Sequence, residues 1–277
     1  MNDTLEYSFL ALGLLMVFHI GLLHSVEHNA NRGVRRQFGD SADVKVLMQP
    51  AGLFGVENNH WHTISIDVEN AKLNALPLYL YPHSSWRGEI DQLQLRLQHF
   101  SLSGLAVHKL TASIPFLTYD AAKAVSMGTL QLRSAGTGTA RIWVGAPGLQ
   151  EFIARKYARL LRSVAIRISD GHIHLTADLN LLGSWLPIRG QFDLRVTHER
   201  FVYIANPVII LNHRPATAGL AEALINQVNP VLDTDLDLGL DRVFRLSNLQ
   251  IEGNEVLFAG SLSLPVHVPL QHRKKVN

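Results

Sequence analysis

Three aspartates at alternate positions followed by a glycine, Asp233, Asp235, Asp237 and Gly239 in "DTDLDLG", resemble the opening of a calcium loop. Such a loop needs glycine at its sixth position and a bidentate glutamate at its twelfth. Counted from Asp233, those positions hold Leu238 and Phe244. The stretch reads instead as an alternating extended segment, its aspartates toward water and Leu236, Leu238 and Leu240 toward the interior. With 14 histidines in the chain, zinc is the next chemistry to test. "HWH" (His60, His62) and "HIH" (His172, His174) each place two imidazoles on one strand face, as a zinc pair requires. Neither comes with a third ligand fixed by spacing, and Ile173 and Leu175 take the core-facing positions, so a solvated strand face explains the second pair. There is no cysteine, hence no thiol catalysis, no disulfide and no cysteine-ligated metal. The chain carries no G-x-S-x-G elbow and no H-E-x-x-H helix. "SAGTGTA" (134–140) lacks the G-K-[ST] ending of a phosphate loop. The expectation is a non-enzymatic protein with no catalytic residue, metal or cofactor.

The chain has 277 residues, 47% hydrophobic and 17% charged, with a net charge of +2. That is apolar for a soluble protein and gives no global attraction to nucleic acid. Ser8 to Val26 contains no charged residue and approaches the ~20 residues needed to cross a bilayer. The leader, residues 1–7, holds Asp3 and Glu6 but no Lys or Arg, and no small-x-small cleavage site comes after the apolar segment. A retained single-pass anchor over 8–26 is therefore preferred to a cleaved signal peptide. Arg32, Arg35 and Arg36 lie in the basic stretch 27–42, read as a linker, and the positive-inside rule would place the domain beyond them in the cytoplasm.

From 43 onward the pattern is mostly that of strands. "EIDQLQLRLQHF" sets Leu93, Leu95 and Leu97 against Gln92, Gln94, Arg96 and Gln98; "TISIDV" does the same with Ile64, Ile66 and Val68. Apolar residues at 149, 152, 153, 157, 160, 161 and 164 then predict an amphipathic helix over 149–164, entered at Pro147-Gly148. Asp170-Gly171 marks a tight hairpin within "SVAIRISDGHIHLTAD". "IRGQFDLRVT" alternates, and "FVYIANPVIIL", apolar on both faces, predicts an enclosed strand. A second helix is expected from about 218 to 229, with Thr217 as cap, before two closing strands and a basic tail at 271–277. The fold class is α+β, mostly antiparallel β, with a sheet curled around amphipathic helices as a single domain over 43–270.

Arg155, Lys156, Arg159 and Arg162 make one side of the first helix basic. They form either an ordinary solvated face or a contact for anionic lipid headgroups. Aromatic residues suited to base stacking are not interleaved with them, so nucleic acid is not an expected partner.

Three stretches carry a family likeness: "GLFGVENNHWHTISIDVENAKLNALPL" with the strand block after it, "GLQEFIARKYARLL" leading into "VAIRISDGHIHLTAD", and "NPVLDTDLDLGLDRVFRLSNLQIEGNEVLFAGSL". In their order, over about 43–264, the chain resembles the LmeA-like phospholipid-binding family, once catalogued as a domain of unknown function. The resemblance implies a tubular lipid-binding-like architecture behind the transmembrane helix, a long curved sheet around a helix with an apolar channel. It implies a phospholipid or glycolipid ligand at the bacterial cell envelope, in envelope lipid metabolism, with the domain outside the cytoplasm, against the arginine argument. Type and periodicity nominate Phe116, Phe152, Ile153, Phe192, Ile204, Ile209 and Leu224 as lining residues. The rival expectation is a non-enzymatic envelope scaffold with a packed β core and an unidentified protein partner.

Overall fold

The structure is a computed structural model that describes residues 24–39, 41–52, 55–81, 87–127, 130–181, 183–240 and 243–266. Most of the expected anchor (8–23) and the basic tail lie outside the described residues. Along the chain run helix α1 (24–38) and strands β1 (Asp43–Pro50), β2 (His60–Glu69), β3 (Lys72–Leu73), β4 (Arg87–Leu102) and β5 (Leu105–Asp120). Helix α2 (Ala121–Met127), β6 (Leu132–Ser134), β7 (Gly138–Gly145) and helix α3 (Ala146–Lys156) come next. Then come β8 (Leu161–Ser169), β9 (His172–Leu181), β10 (Ser184–Thr197), β11 (Phe201–Leu211), β12 (Arg214–Pro215), helix α4 (Ala218–Val228), β13 (Leu232–Asp233), β14 (Phe244–Glu252) and β15 (Glu255–Leu262).

The protein is mostly β, in two sheets rather than the single long sheet expected. The first has the order β1-β2-β4-β5-β7-β15-β14, with β3 beside β4 and β6 beside β5. The second runs β12-β11-β10-β9-β8, with β13 beside β11. Pairing is antiparallel except where β2 and β3 run parallel to β4. Alternation does what it predicts in the first sheet: Leu93, Leu95 and Leu97 of β4 and Ile64, Ile66 and Val68 of β2 are buried on one face. The Asp170-Gly171 turn also forms as expected, with φ of +55° and +76° joining β8 to β9.

Residues 27–42, read as a linker, are part of the fold. Helix α1 buries Val34 and Phe38 in the main core, and it caps the free edge of the first sheet. The Val46 amide donates to Asn31 Oδ1 at 2.7 Å and the Met48 amide to Glu27 Oε1 at 3.1 Å. Four residues of helix rise about 6 Å and two residues of strand about 6.6 Å, so an i, i+4 pair can serve amides at i, i+2. The exposed edge of a sheet is thereby closed to other strands.

The first long helix is shorter than expected. Helix α3 ends at Lys156, the chain turns through Tyr157–Leu160, and Leu161 and Val164 belong to β8. Apolar residues at 160, 161 and 164 continue a helical period by coincidence, because a half-buried strand also accepts them. Gly148 fixes how closely α3 lies on β5. A Cβ there would run into the Ala106 carbonyl oxygen, which is backbone and cannot swing aside. Gly148→Ala should lower unfolding stability by about 1–3 kcal/mol in denaturant titration.

Strand β11 is not enclosed on both faces as expected. Its pairing with β10 slips between Gln191 and Asp193, where Asn206 and Pro207 oppose Phe192 alone. This bulge reverses which side chains point inward along β11. Ile209 is buried, while Val208 (61% exposed) and Ile210 (38% exposed) stand on the outer face.

Candidate functional site

The apolar interior is the natural place to seek a ligand, and it has two parts. The larger core joins the inner face of the first sheet to α1, α3 and half of the second sheet, including Phe152, Ile168, Ile173, Phe192 and Val202. The smaller core lies beneath α4 and holds Leu161, Ala177, Leu179, Ile188, Ile209 and Leu224. Ile153 and Tyr157 of α3 and its following turn pack against both.

Small hollows lie in the larger core, two of them beside α3 and α1. One, of about 40 Å³, is lined by apolar side chains alone, from α3 (Leu149, Phe152, Ile153), the second sheet (Ile173, Phe192, Leu194) and neighbouring strands. The other, of about 80 Å³, lies under α1 between Val34, Met48, Trp61 and Tyr119. Trp61 Nε1 donates to Tyr119 Oη at 2.9 Å, and burial pushes the Tyr119 phenol up to about 12. A much larger hollow, about 710 Å³, is an open groove on the opposite, polar face of the first sheet, floored by Ser65, Thr111, Ser113 and Thr139. It does not communicate with the apolar interior, because the sheet itself stands between them.

Of the seven residues nominated as lining, Phe152, Ile153 and Phe192 meet around the 40 Å³ hollow. Ile204 is half-buried against the same core, its backbone amide and carbonyl held by the side chain of Asn229 at 2.9 and 3.4 Å. Ile209 and Leu224 pack in the smaller core under α4. Phe116 is misplaced by type and periodicity: it has a φ of +53°, drops out of the β4–β5 ladder opposite Asp91, and is 78% exposed. Leu105, Val202 and Phe258, absent from that nomination, also line the hollow. Val202 stands two residues from Ile204 on one strand face, a signal present in the sequence. Phe258 arrives through the pairing of β15 with β7, more than a hundred residues apart, for which no local signal exists.

The expected basic helix face does not form as one surface: Arg155 and Lys156 lie on α3, Arg159 in the turn after it and Arg162 in β8. Lys156 Nζ lies 2.5 Å from Asp237 Oδ2 and 3.2 Å from the Val231 carbonyl. Arg162 donates to Asp178 at 3.2 Å and stacks on Trp185 at 4.4 Å. The Arg155 guanidinium lies where a Cβ on Gly104 would be. Arg155 and Arg159 are exposed.

"DTDLDLG" is a clamp rather than an extended strand. Only Leu232–Asp233 are strand, and the chain then folds back in tight turns, with Asp237 N donating to the Asp233 carbonyl at 2.8 Å. Asp233, buried, accepts Arg200 Nε and Nη2 at 2.7 and 2.6 Å and the amides of Asp235 and Leu236 at 3.0 and 3.2 Å. The Arg200 hydrogen bond outweighs burial and holds this carboxyl below the usual range. Leu238 and Leu240 are buried as expected; Leu236 is 81% exposed, at the tip of the turn. The turn reverses its direction because Asp233 ties down the two amides beside it.

His60, His62 and His172 hydrogen-bond carboxylates, whereas His174 does not: its Nε2 is buried without a hydrogen-bond partner among the described residues. His60 Nε2 and His62 Nδ1 lie 2.8 and 3.0 Å from the two oxygens of Asp91, and these hydrogen bonds, His60 first, draw the Asp91 carboxyl down. His172 Nδ1 lies 2.6 Å from Asp193 Oδ1, and Asn206 Nδ2 donates to Asp193 Oδ2 at 2.8 Å. Asn206 and then His172 lower that carboxyl. Among the described residues no three His, Cys, Asp or Glu side chains are grouped to hold a metal ion. Among them, too, no helix is long and apolar enough to cross a membrane.

No family model matches this chain, and neither curated proteins nor solved structures give a match.

Proposed function

We propose that this chain is a membrane-anchored, non-enzymatic phospholipid- or glycolipid-binding protein of the cytoplasmic membrane, holding acyl chains between its two sheets. The observation that carries the reading is the hollow lined only by apolar side chains where Phe152 and Ile153 of α3 face Phe192 of the second sheet. In this reading the two sheets with α3 between them form a tubular lipid-binding-like body, as the family likeness implies. Each buried methylene contributes about 0.8 kcal/mol, so an acyl chain needs no polar motif to be held.

A hollow of about 40 Å³ is far below the ~300 Å³ of an ordinary ligand pocket. A lipid must therefore part the wall, and α4 is the element that opens. Of its side chains only Leu224 is buried, so moving it exposes the smaller core at little cost. Ile153, packed against both cores, is then the threshold between them.

The small size of the hollows favours a second reading, a scaffold with a fully packed core that binds a protein partner. Lipid extraction separates the two. Organic extracts of the natively purified full chain should contain phospholipid or glycolipid in near-stoichiometric amount. Extracts free of lipid, with no uptake of added fluorescent phospholipid, remove the lipid reading and leave the scaffold.

A further inference from the structure

The outer face of the second sheet is cationic and partly aliphatic, and none of the described elements covers it. Cross-strand partners lie on one face of a sheet. The register aligns Arg167 with His174 and Gln191, then Val208; the next row runs from Thr176 through Arg189 to Ile210. Arg195 lies further along β10, beside Tyr203. The acids of this face are already engaged: Asp178 accepts Arg162, and Asp193 takes His172 and Asn206. Arg167, Arg189 and Arg195 are exposed, and among the described residues none of the three has an ion-pair partner. Val208 and Ile210 stand among them with 61% and 38% of their surface in water.

We propose that this face docks on an anionic phospholipid surface. Three arginines with no internal counter-charge match a negative headgroup layer, and two aliphatic side chains in register with them can enter the headgroup boundary. A base-stacking partner is disfavoured, because the nearby Trp185 ring is already covered by the Arg162 guanidinium. An acidic protein is the competing occupant, and the test must tell the two apart. The inference does not depend on lipid entering the core: the face can dock while the core stays empty, and the reverse also holds.

The chain has no cysteine, so Val208→Cys in the full chain gives a single site for an environment-sensitive dye. Gln94→Cys, on the polar face of the first sheet, is the reference. Addition of vesicles containing phosphatidylglycerol should blue-shift the dye at 208 and leave the dye at 94 unchanged; pure phosphatidylcholine vesicles should shift neither. In the background R167Q/R189Q/R195Q, the vesicle concentration for half the shift should rise by at least about tenfold, as should the same measurement in high salt. Circular dichroism of the labelled variants checks folding. Because 208 is itself altered, a second label at Gln191→Cys repeats the measurement with Val208 intact. An absent shift at both sites, an equal shift with neutral vesicles, or no loss on removing the arginines overturns the proposal. A shift produced by a polyglutamate peptide and not by anionic vesicles assigns the face to an acidic protein and overturns it as well.

Discussion

Phe152→Ala should destabilise the protein by about 3–5 kcal/mol, more than any surface change, read as a lowered denaturant midpoint at unchanged slope. The ring is buried where α3, the second sheet and the loop before β13 converge. Removing it joins a ring-sized void to a hollow that is already present, and α3 cannot collapse into the space because Gly148 already rests on the Ala106 carbonyl. The same position bears on function. If acyl chains occupy this region, the enlarged hollow should keep or raise uptake of fluorescent phospholipid despite the lost stability. Phe192→Trp, which extends a side chain into the hollow, should lower uptake while costing about 1–3 kcal/mol. A packed scaffold would show both stability changes and no uptake in either variant.

Asp233→Ala should cost about 3 kcal/mol. The substitution leaves the Arg200 guanidinium without its two-pronged acceptor and the amides of Asp235 and Leu236 without theirs. Leu238 and Leu240 are buried just beyond, so the loss reaches the main core. The pH dependence has a definite sign. The folded carboxyl of Asp233 is held below its ordinary 3.8, so its contribution is complete above that value and disappears as pH falls through the lower folded one. The gap between wild type and Asp233→Ala should therefore stay constant from about pH 5 to 8 and close below about pH 4. Leu236→Ser, at the exposed tip of the same turn, should change stability by no more than about 0.5 kcal/mol. A large loss there would mean that the leucine packs against something.

The fold was legible in the sequence where one face of a strand is buried and the other is wet. Leu93, Leu95 and Leu97, and the Asp170-Gly171 hairpin, needed nothing beyond local pattern. Legibility failed where an irregularity changes the parity of a strand. The β11 bulge at Asn206-Pro207 turns Val208 and Ile210 outward, and the break at Phe116 does the same on β5. It failed again where charges pair over long separations. Lys156 with Asp237 and Arg200 with Asp233 convert part of an expected basic helix face and a calcium-like acid run into one internal clamp. Within the candidate site, Phe152, Ile153 and Phe192 could be named from type and periodicity. Their convergence with Phe258 could not, since it depends on strand pairing across more than a hundred residues.

The most direct measurement is photo-crosslinking of the full chain to a phospholipid with a photoactivatable group at the acyl terminus, with peptide mapping of the adducts. Acyl chains held between the sheets will mark Leu149–Ile153 of α3 and Phe192–Leu194 of β10. Crosslinks confined to the apolar segment 8–26, with none on α3 or β10, would contradict the central claim and leave a packed protein that touches lipid only through its anchor.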